Sequence, residues 1–175
     1  MITEKRRNKI LELLKNSKNP LTGTELAKLF EVSRQVIVQD IAVLRAQGQN
    51  ILATSNGYMI PQFGGKRKRI ITIVCRHEGY DSMEEELKIM VDAGAKVLDV
   101  VVEHPVYGEI RSSLMIQSRM DLEEFMTRVR RNQAEPLSSL TGGEHIHTLE
   151  VPNEKSTSKI VDALTEKGYF IKGES

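Results

Sequence analysis

Cysteine, tryptophan and long apolar runs are scarce or missing in this chain of 175 residues. Cys75 is the single cysteine, so an internal disulfide and a zinc cluster of several cysteines are excluded. No apolar run approaches the roughly 20 residues that a transmembrane helix needs, and the first ten residues lack the apolar core of a secretory signal. Charged residues make up 28% of the chain, against 39% apolar ones. We therefore expect a cytoplasmic globular protein with no membrane partner.

A net charge of only +1 hides a strong asymmetry along the chain. Residues 1–62 carry nine Lys and Arg against five Asp and Glu, and the run 66–69 adds four more basic residues. Residues 70–175 carry 12 basic and 19 acidic residues. Such a split predicts two domains with different partners, and the basic front half suits a polyanion such as nucleic acid.

The front half has the pattern of three helices followed by a β-hairpin. Apolar spacing predicts helices over about 4–16, 23–30 and 34–47, and Thr22 with Glu25 forms a capping box at the start of the second. Short strands over 51–54 and 58–60 flank a strong turn signal, Ser-Asn-Gly. This order predicts a winged helix-turn-helix over residues 1–62, with the third helix available to a DNA groove.

The segment TGTELAKLFEVSRQVIVQDIAVLRAQG, residues 22–48, resembles the winged helix of biotin-repressor-type regulators. The resemblance implies that Ser33, Arg34 and Gln35 open the recognition helix and contact DNA. Gln39 lies further along a polar face of the same helix and is expected to join them. The alternative is a winged helix that serves only protein contacts.

Residues 63–69, which hold paired glycines and then Lys66 to Arg69, are the expected linker. They are either a solvated connection or a further contact to phosphates. From residue 70 the pattern changes to β-α-β-β-α-β-α, which predicts a ferredoxin-like α/β sandwich with one added helix. The whole chain is thus expected to be an α+β protein, with a second domain over 70–175.

The histidines all lie in this second half, and their spacing suggests a metal site. His145 and His147 point to the same face of a predicted strand. His77 follows the first strand directly, and Glu85 falls in the first turn of the next helix. If the first and fourth strands lie close together, these four residues meet and suit zinc, nickel or iron. The alternatives are a strand end at His77, a capping box from Ser82 to Glu85, and a histidine pair without metal.

Residues 70–170 are similar to the three-histidine domain of bacterial nicotinic-acid-responsive repressors. The matching segments are RHEG at 76–79, EHPVYG at 103–108 and GGEHIHT at 142–148. The resemblance implies one divalent transition metal per chain, nickel or zinc, held by His77, Glu85, His145 and His147. Glu84 and Glu86 flank Glu85 as alternatives for the carboxylate, and His104 belongs to the histidine set.

The same resemblance implies a homodimeric repressor that binds operator DNA with nicotinic acid as corepressor. The genes under control would be those of NAD synthesis or niacin uptake. A pyridine carboxylate could bind an open position on the metal, and His104 and Arg76, or Arg111, could contact it.

The competing hypothesis is a metalloenzyme for a pyridine-type substrate, with Glu144 or Glu103 as general base. No motif supports a general base, and the glycine-rich loop of biotin ligases is absent. We therefore expect a regulator without catalytic residues.

Overall fold

The computed structural model describes residues 2–62 and 68–174. The chain divides into two compact units, Met1–Gly65 and Lys66–Ser175. Most of the predicted linker lies outside the described residues, but Lys68 pairs with Glu150 and Arg69 with Glu154. Within the described ranges, no helix is long and apolar enough to cross a membrane.

The first unit has the predicted three helices and hairpin. They are α1 (Thr3–Asn16), α2 (Gly23–Leu29), α3 (Arg34–Ala46), β1 (Leu52–Thr54) and β2 (Gly57–Met59). The capping box between Thr22 and Glu25 is formed in both directions. Gly57 is required in the hairpin turn, because its φ is +125° and a Cβ would lie 2.6 Å from the backbone of Leu21. The core consists of the apolar faces of the three helices together with Ile51, which precedes β1: Ile10, Leu14, Leu26, Ala27, Ile37, Ile41, Leu44 and Ile51.

The second unit follows the predicted order and adds one strand at its end. Its elements are β3 (Arg69–Arg76), α4 (Tyr80–Asp92), β4 (Lys96–His104), β5 (Gly108–Ile116), α5 (Arg119–Arg131), a 3-10 helix (Leu137–Thr141), β6 (Glu144–Val151), α6 (Glu154–Glu166) and β7 (Phe170–Glu174). The α+β class and the element order β-α-β-β-α-β-α are confirmed. Strand β7 has no counterpart in the sequence-based prediction.

The strand order β5-β4-β6-β3-β7 differs from the ferredoxin-like arrangement. A ferredoxin-like sheet has its first and third strands in the middle, whereas here β4, β6 and β3 are interior and the third strand, β5, lies at an edge. The burial pattern explains this placement, since β4 buries Val101 and Val102 while β5 exposes most of its first half. The first and fourth strands, β3 and β6, pair directly in antiparallel register, as the predicted site requires.

One face of this sheet packs against the three helices and forms the core of the unit. Alternate residues of β3 and β6, among them Ile71, Ile73 and Leu149, contact apolar side chains of α4, α5 and α6. His145 and His147 share the parity of Leu149 on β6, so they point to this helix-covered face. The site histidines therefore lie within the packed layer between sheet and helices.

Candidate metal centre and DNA-binding helix

Three histidine side chains converge on one buried carboxylate, that of Glu86. His77 Nε2 lies 2.7 Å from Glu86 Oε2, and His145 Nε2 lies 2.9 Å from Oε1. His147 Nε2 lies 3.3 Å from Oε2. Glu86 is 0% exposed and His77, the most accessible of the four, is 9% exposed. The centre is therefore a buried cluster of three imidazoles around one carboxylate.

Strand register and helix phase bring these four residues together. His145 and His147 lie opposite Cys75 and Ile73 of β3, and His77 follows directly after the end of β3. Glu86 lies on the inner face of α4, one turn before the buried Met90. It is buried because it shares the side of the helix that faces the sheet.

The carboxylate in the cluster is thus Glu86, and the expectation of Glu85 is corrected. Neighbouring helix positions differ by about 100°, so Glu85 points away from the histidines. Its carboxylate accepts hydrogen bonds from Tyr169 Oη at 2.8 Å and Lys167 Nζ at 2.7 Å. A capping box from Ser82 to Glu85 does not form either, because α4 begins earlier, at Tyr80. The apolar residues Leu87 and Met90 were the sequence signal that Glu86 faces inward, because they lie next to Glu86 and one turn after it.

Hydrogen bonds to backbone carbonyls orient two of the three imidazoles. His145 Nδ1 donates to Gly143 O at 2.8 Å, and His147 Nδ1 donates to Asp99 O at 2.7 Å. Both rings therefore direct Nε2 towards Glu86. His77 differs, because its Nδ1 is buried and has no hydrogen-bond partner among the described residues.

The charges in the cluster compensate one another. Burial disfavours ionised Glu86, but the charge of His147 and hydrogen bonds from the three imidazoles outweigh it and hold the pKa of Glu86 well below its ordinary value. Burial likewise disfavours charged His147, but Glu86 outweighs it and raises the pKa of His147. Glu86 and His147 thus stabilise the charged form of one another.

This donor set fits a divalent transition metal. Ligand atoms of His77, Glu86 and His145 all lie within 4.8 Å of one another, and His147 directs a fourth donor to the same carboxylate. Imidazole nitrogens with one carboxylate suit zinc or nickel and are poor ligands for calcium or magnesium. The cluster is therefore able to hold one such ion.

The residues expected to line a ligand pocket have other partners. His104 ends β4, and its Nδ1 accepts hydrogen bonds from the backbone N–H groups of Val106 and Tyr107. Arg76 is exposed and pairs with Glu144 at 3.0 Å. These contacts do not join His104 or Arg76 to the histidine cluster.

Arg111, the other arginine considered for a ligand carboxylate, is paired as well. Its guanidinium donates to Asp99 and, at 2.8 Å, to Glu109.

A cavity of 610 Å³ lies along β4, β6 and the 3-10 helix, and its charged lining includes Glu103 and Glu144. Its lining also includes His145 of the cluster, and Glu144 is paired with Arg76.

Helix α3 exposes the side chains that were expected to contact DNA. Ser33 caps the helix by accepting a hydrogen bond from the backbone N–H of Val36. Arg34, Gln35 and Gln39 are all exposed on the polar side of α3. The first helical turn thus presents hydrogen-bonding side chains to solvent.

The opposite side of α3 is anchored to α1 by a buried charge network. Asp40, 1% exposed, accepts from Arg6 Nε at 2.6 Å and from Arg7 Nε at 2.9 Å. Asp40 raises the pKa of Arg6. The sequence analysis did not find this network, although a carboxylate in phase with the buried Ile37 and Leu44 was a visible signal.

A winged helix joined to a second domain with a buried histidine cluster defines a class of DNA-binding regulators. Residues 6–59 match a helix-turn-helix domain family, and residues 70–173 match the 3H domain family. The chain belongs to the 3H-domain family of transcription repressors.

Two relatives are similar over nearly their whole length. The probable transcription repressor NiaR of Thermotoga maritima is 39% identical over 97% of this chain and 95% of its own. The transcription repressor NadR of Bacillus subtilis is 44% identical over 95% of this chain and 93% of its own. Because both are named as repressors, the expectation of a DNA-binding regulator rather than an enzyme is confirmed.

Proposed function

We propose that this protein is a metal-containing repressor that binds operator DNA with nicotinic acid as corepressor. The genes under control are those of NAD biosynthesis or niacin uptake. The observation that carries the proposal is the convergence of His77, His145 and His147 on buried Glu86, in a domain that follows a winged helix in the sequence. A repressor that responds to a metabolite needs a sensing site in addition to its DNA-binding helix.

In this proposal His77, Glu86, His145 and His147 hold one nickel or zinc ion per chain. When bound, such an ion would connect the end of β3 to α4 and β6 through its ligands and would polarise the imidazole rings. Glu86 contributes the single negative charge, and the carbonyl groups of Gly143 and Asp99 keep two rings in the ligating tautomer. The cluster would thereby become a fixed site at which a small anion can bind.

The proposed DNA contacts are made by Ser33, Arg34, Gln35 and Gln39 of α3. Their exposure and their position on the recognition helix support this assignment.

We propose that residues 1–62 form the DNA-binding domain, 63–69 the linker and 70–175 the sensing and dimerisation domain. Two copies are proposed to bind a near-palindromic operator, because one small module provides little affinity.

The direct test measures operator binding by the full chain with and without nicotinic acid, in metal-loaded and metal-stripped protein. The proposal predicts that nicotinic acid strengthens operator binding only when the metal is present, whereas nicotinamide and biotin have little effect. Analytical ultracentrifugation of the same samples is expected to show a dimer. A metal-stripped protein that responds fully to nicotinic acid would refute the role of the ion.

A further inference from the structure

Asp99 of β4 is bonded to two consecutive residues of β6, and one of them is a site histidine. Its backbone carbonyl oxygen accepts a hydrogen bond from His147 Nδ1 at 2.7 Å. Its carboxylate Oδ1 accepts another from the backbone N–H of Thr148 at 3.0 Å. The side chain of Asp99 is only 9% exposed. A single buried residue of β4 thus holds both the ring of His147 and the backbone beside it.

A β-bulge in β4 gives Asp99 this position. The pairing of β4 with β5 and with β6 shifts between Val97 and Asp99, so the regular ladder is interrupted there. Asp99 lies opposite Thr148, and its side chain therefore points to the face of the sheet away from the helices, whereas His147 points to the helix-covered face. Bulges often redirect groups beside functional sites. Here the bulge lies where one residue makes contacts on both faces of the sheet.

The carboxylate of Asp99 is held in turn by Arg111 of the edge strand β5. The guanidinium of Arg111 donates to Asp99 Oδ2 and, at 2.8 Å, to Glu109. The side chain of Arg111 is 49% exposed, so this end of the contact lies at the surface. Charge-assisted hydrogen bonds fix the orientation of a carboxylate more firmly than neutral ones. A continuous set of contacts therefore leads from the surface at Arg111 through Asp99 to His147.

The other two site histidines have no comparable support in the described part of the chain. His145 Nδ1 donates to the carbonyl oxygen of Gly143, a residue without a side chain. His77 Nδ1 has no partner among the described residues. Only the acceptor of His147 thus carries a charged side chain that is itself fixed by further bonds.

We propose that Asp99 is a positioning residue for the metal site and that Arg111 keeps Asp99 in place. Asp99 orients the ring of His147 so that Nε2 points towards the position of the ion. Arg111 holds the Asp99 carboxylate against β6, although Arg111 is not a ligand. This inference rests on the proposed function, in which His147 is a ligand of the metal. It adds that a change at the exposed edge strand alters metal binding in the buried cluster.

Zinc affinity of full-chain variants, measured in competition with a chelator, is the first test. Asp99→Asn keeps the backbone carbonyl and an oxygen for Thr148 but loses the ionic contact, and Arg111→Gln loses the same contact from the other side. Both should bind zinc about tenfold more weakly than the wild type, at the lower end of the cost of losing an outer-sphere partner. Arg111→Lys keeps the charge and should recover much of the affinity. Arg119→Gln is the matched control, since exposed Arg119 pairs with Asp92 at 2.6 Å and should bind zinc like the wild type.

Imidazole NMR distinguishes positioning from a general loss of structure. With ¹⁵N-labelled histidine, the Nδ1–H signal of His147 reports its bond to the carbonyl oxygen of Asp99 directly. This signal should shift in Asp99→Asn and in Arg111→Gln, while the signal of His145, which is bonded to Gly143, stays near its wild-type position. The same difference is expected in metal-free protein, because the bond from His147 to Asp99 does not require the ion.

The outcomes separate this inference from the proposed function. Wild-type zinc affinity in both Asp99→Asn and Arg111→Gln overturns the inference and leaves the proposed metal site intact. An equal shift of the His145 and His147 signals also overturns it, because the variants would then disturb the unit as a whole. A wild type that retains no metal in elemental analysis refutes the proposed metal site, and the role of Asp99 in it fails as well.

Discussion

His77 and Glu86 are nine positions apart in sequence, and their side chains meet at 2.7 Å between Nε2 and Oε2. The chain reverses direction between them at Gly79, whose φ of +87° leads directly into α4. This reversal returns the second turn of the helix over the end of β3. The position of Glu86 in the cluster is thus set by where α4 begins and by which side of it faces the sheet.

The two neighbouring glutamates should differ sharply in metal binding. Glu86→Gln removes the carboxylate that contacts all three histidines, so metal affinity should fall by more than the roughly 10- to 100-fold that loss of an outer-sphere partner costs. Glu85→Gln changes a surface contact with Lys167 and should bind metal like the wild type. Elemental analysis after dialysis against a competing chelator measures both. Retention of metal by Glu86→Gln and its loss by Glu85→Gln would exchange the two assignments.

Gly143 should be sensitive to substitution because it packs against His77. Its φ is +94°, and a Cβ there would lie 2.6 Å from the carbonyl oxygen of His77. Gly143→Ala should therefore destabilise the protein by roughly 2–4 kcal/mol and weaken metal binding, since strain and a backbone clash act together. Gly142→Ala is the matched control, because its φ is also positive but no atom lies within 4 Å. Chemical denaturation and metal titration of both variants should show the larger effect at position 143.

The recognition helix should read DNA through its first turn. Arg34→Ala should cost about 1–3 kcal/mol in binding to the specific operator if Arg34 contacts a base edge. The same variant should bind unrelated DNA of equal length almost as well as the wild type does. Fluorescence anisotropy with both DNAs separates base reading from phosphate contact, and Gln35→Ala provides an independent second variant. Unchanged operator affinity in both variants would remove this turn from the interface.

The charge network beneath α3 should be important for stability. Asp40→Asn leaves buried Arg6 without its anionic partner, so the free energy of unfolding should fall by about 3–5 kcal/mol. Glu12→Gln is the control, since it changes an exposed carboxylate on α1. Urea denaturation followed by circular dichroism measures both variants. Equal stability of Asp40→Asn and the wild type would mean that solvent compensates Arg6.

Glu25 should make the first unit less stable in acid. Hydrogen bonds from the backbone N–H and hydroxyl of Thr22 lower the pKa of Glu25 in the folded state. The resulting stabilisation is present above the ordinary carboxyl pKa of 4.5 and is lost as the pH falls through the lowered folded value. The stability gap between wild type and Glu25→Ala should thus be about 0.5–1 kcal/mol at neutral pH and narrow below that value. Denaturation curves at several pH values test this, and a gap independent of pH would contradict it.

Local sequence patterns were sufficient for the first unit. Its helices, caps and hairpin depend on contacts between residues close in sequence, such as Thr22 with Glu25, and these patterns predicted all five elements. The same is true of the shared face of His145 and His147, because alternation along a strand is a local property.

Tertiary structure decided the strand order, which carboxylate contacts the histidines, and which surface contacts Glu85 makes. The pairing of β4 with β6 and the addition of β7 depend on contacts between distant segments, which the periodicity of each segment does not encode. Glu84, Glu85 and Glu86 are chemically identical neighbours, and the packing of α4 with Leu87 and Met90 towards the sheet places Glu86 on the buried face. The sequence alone thus determined that histidines and a nearby glutamate are available, while packing of α4 against β3 and β6 selected Glu86 and left Nδ1 of His77 without a partner in the described chain.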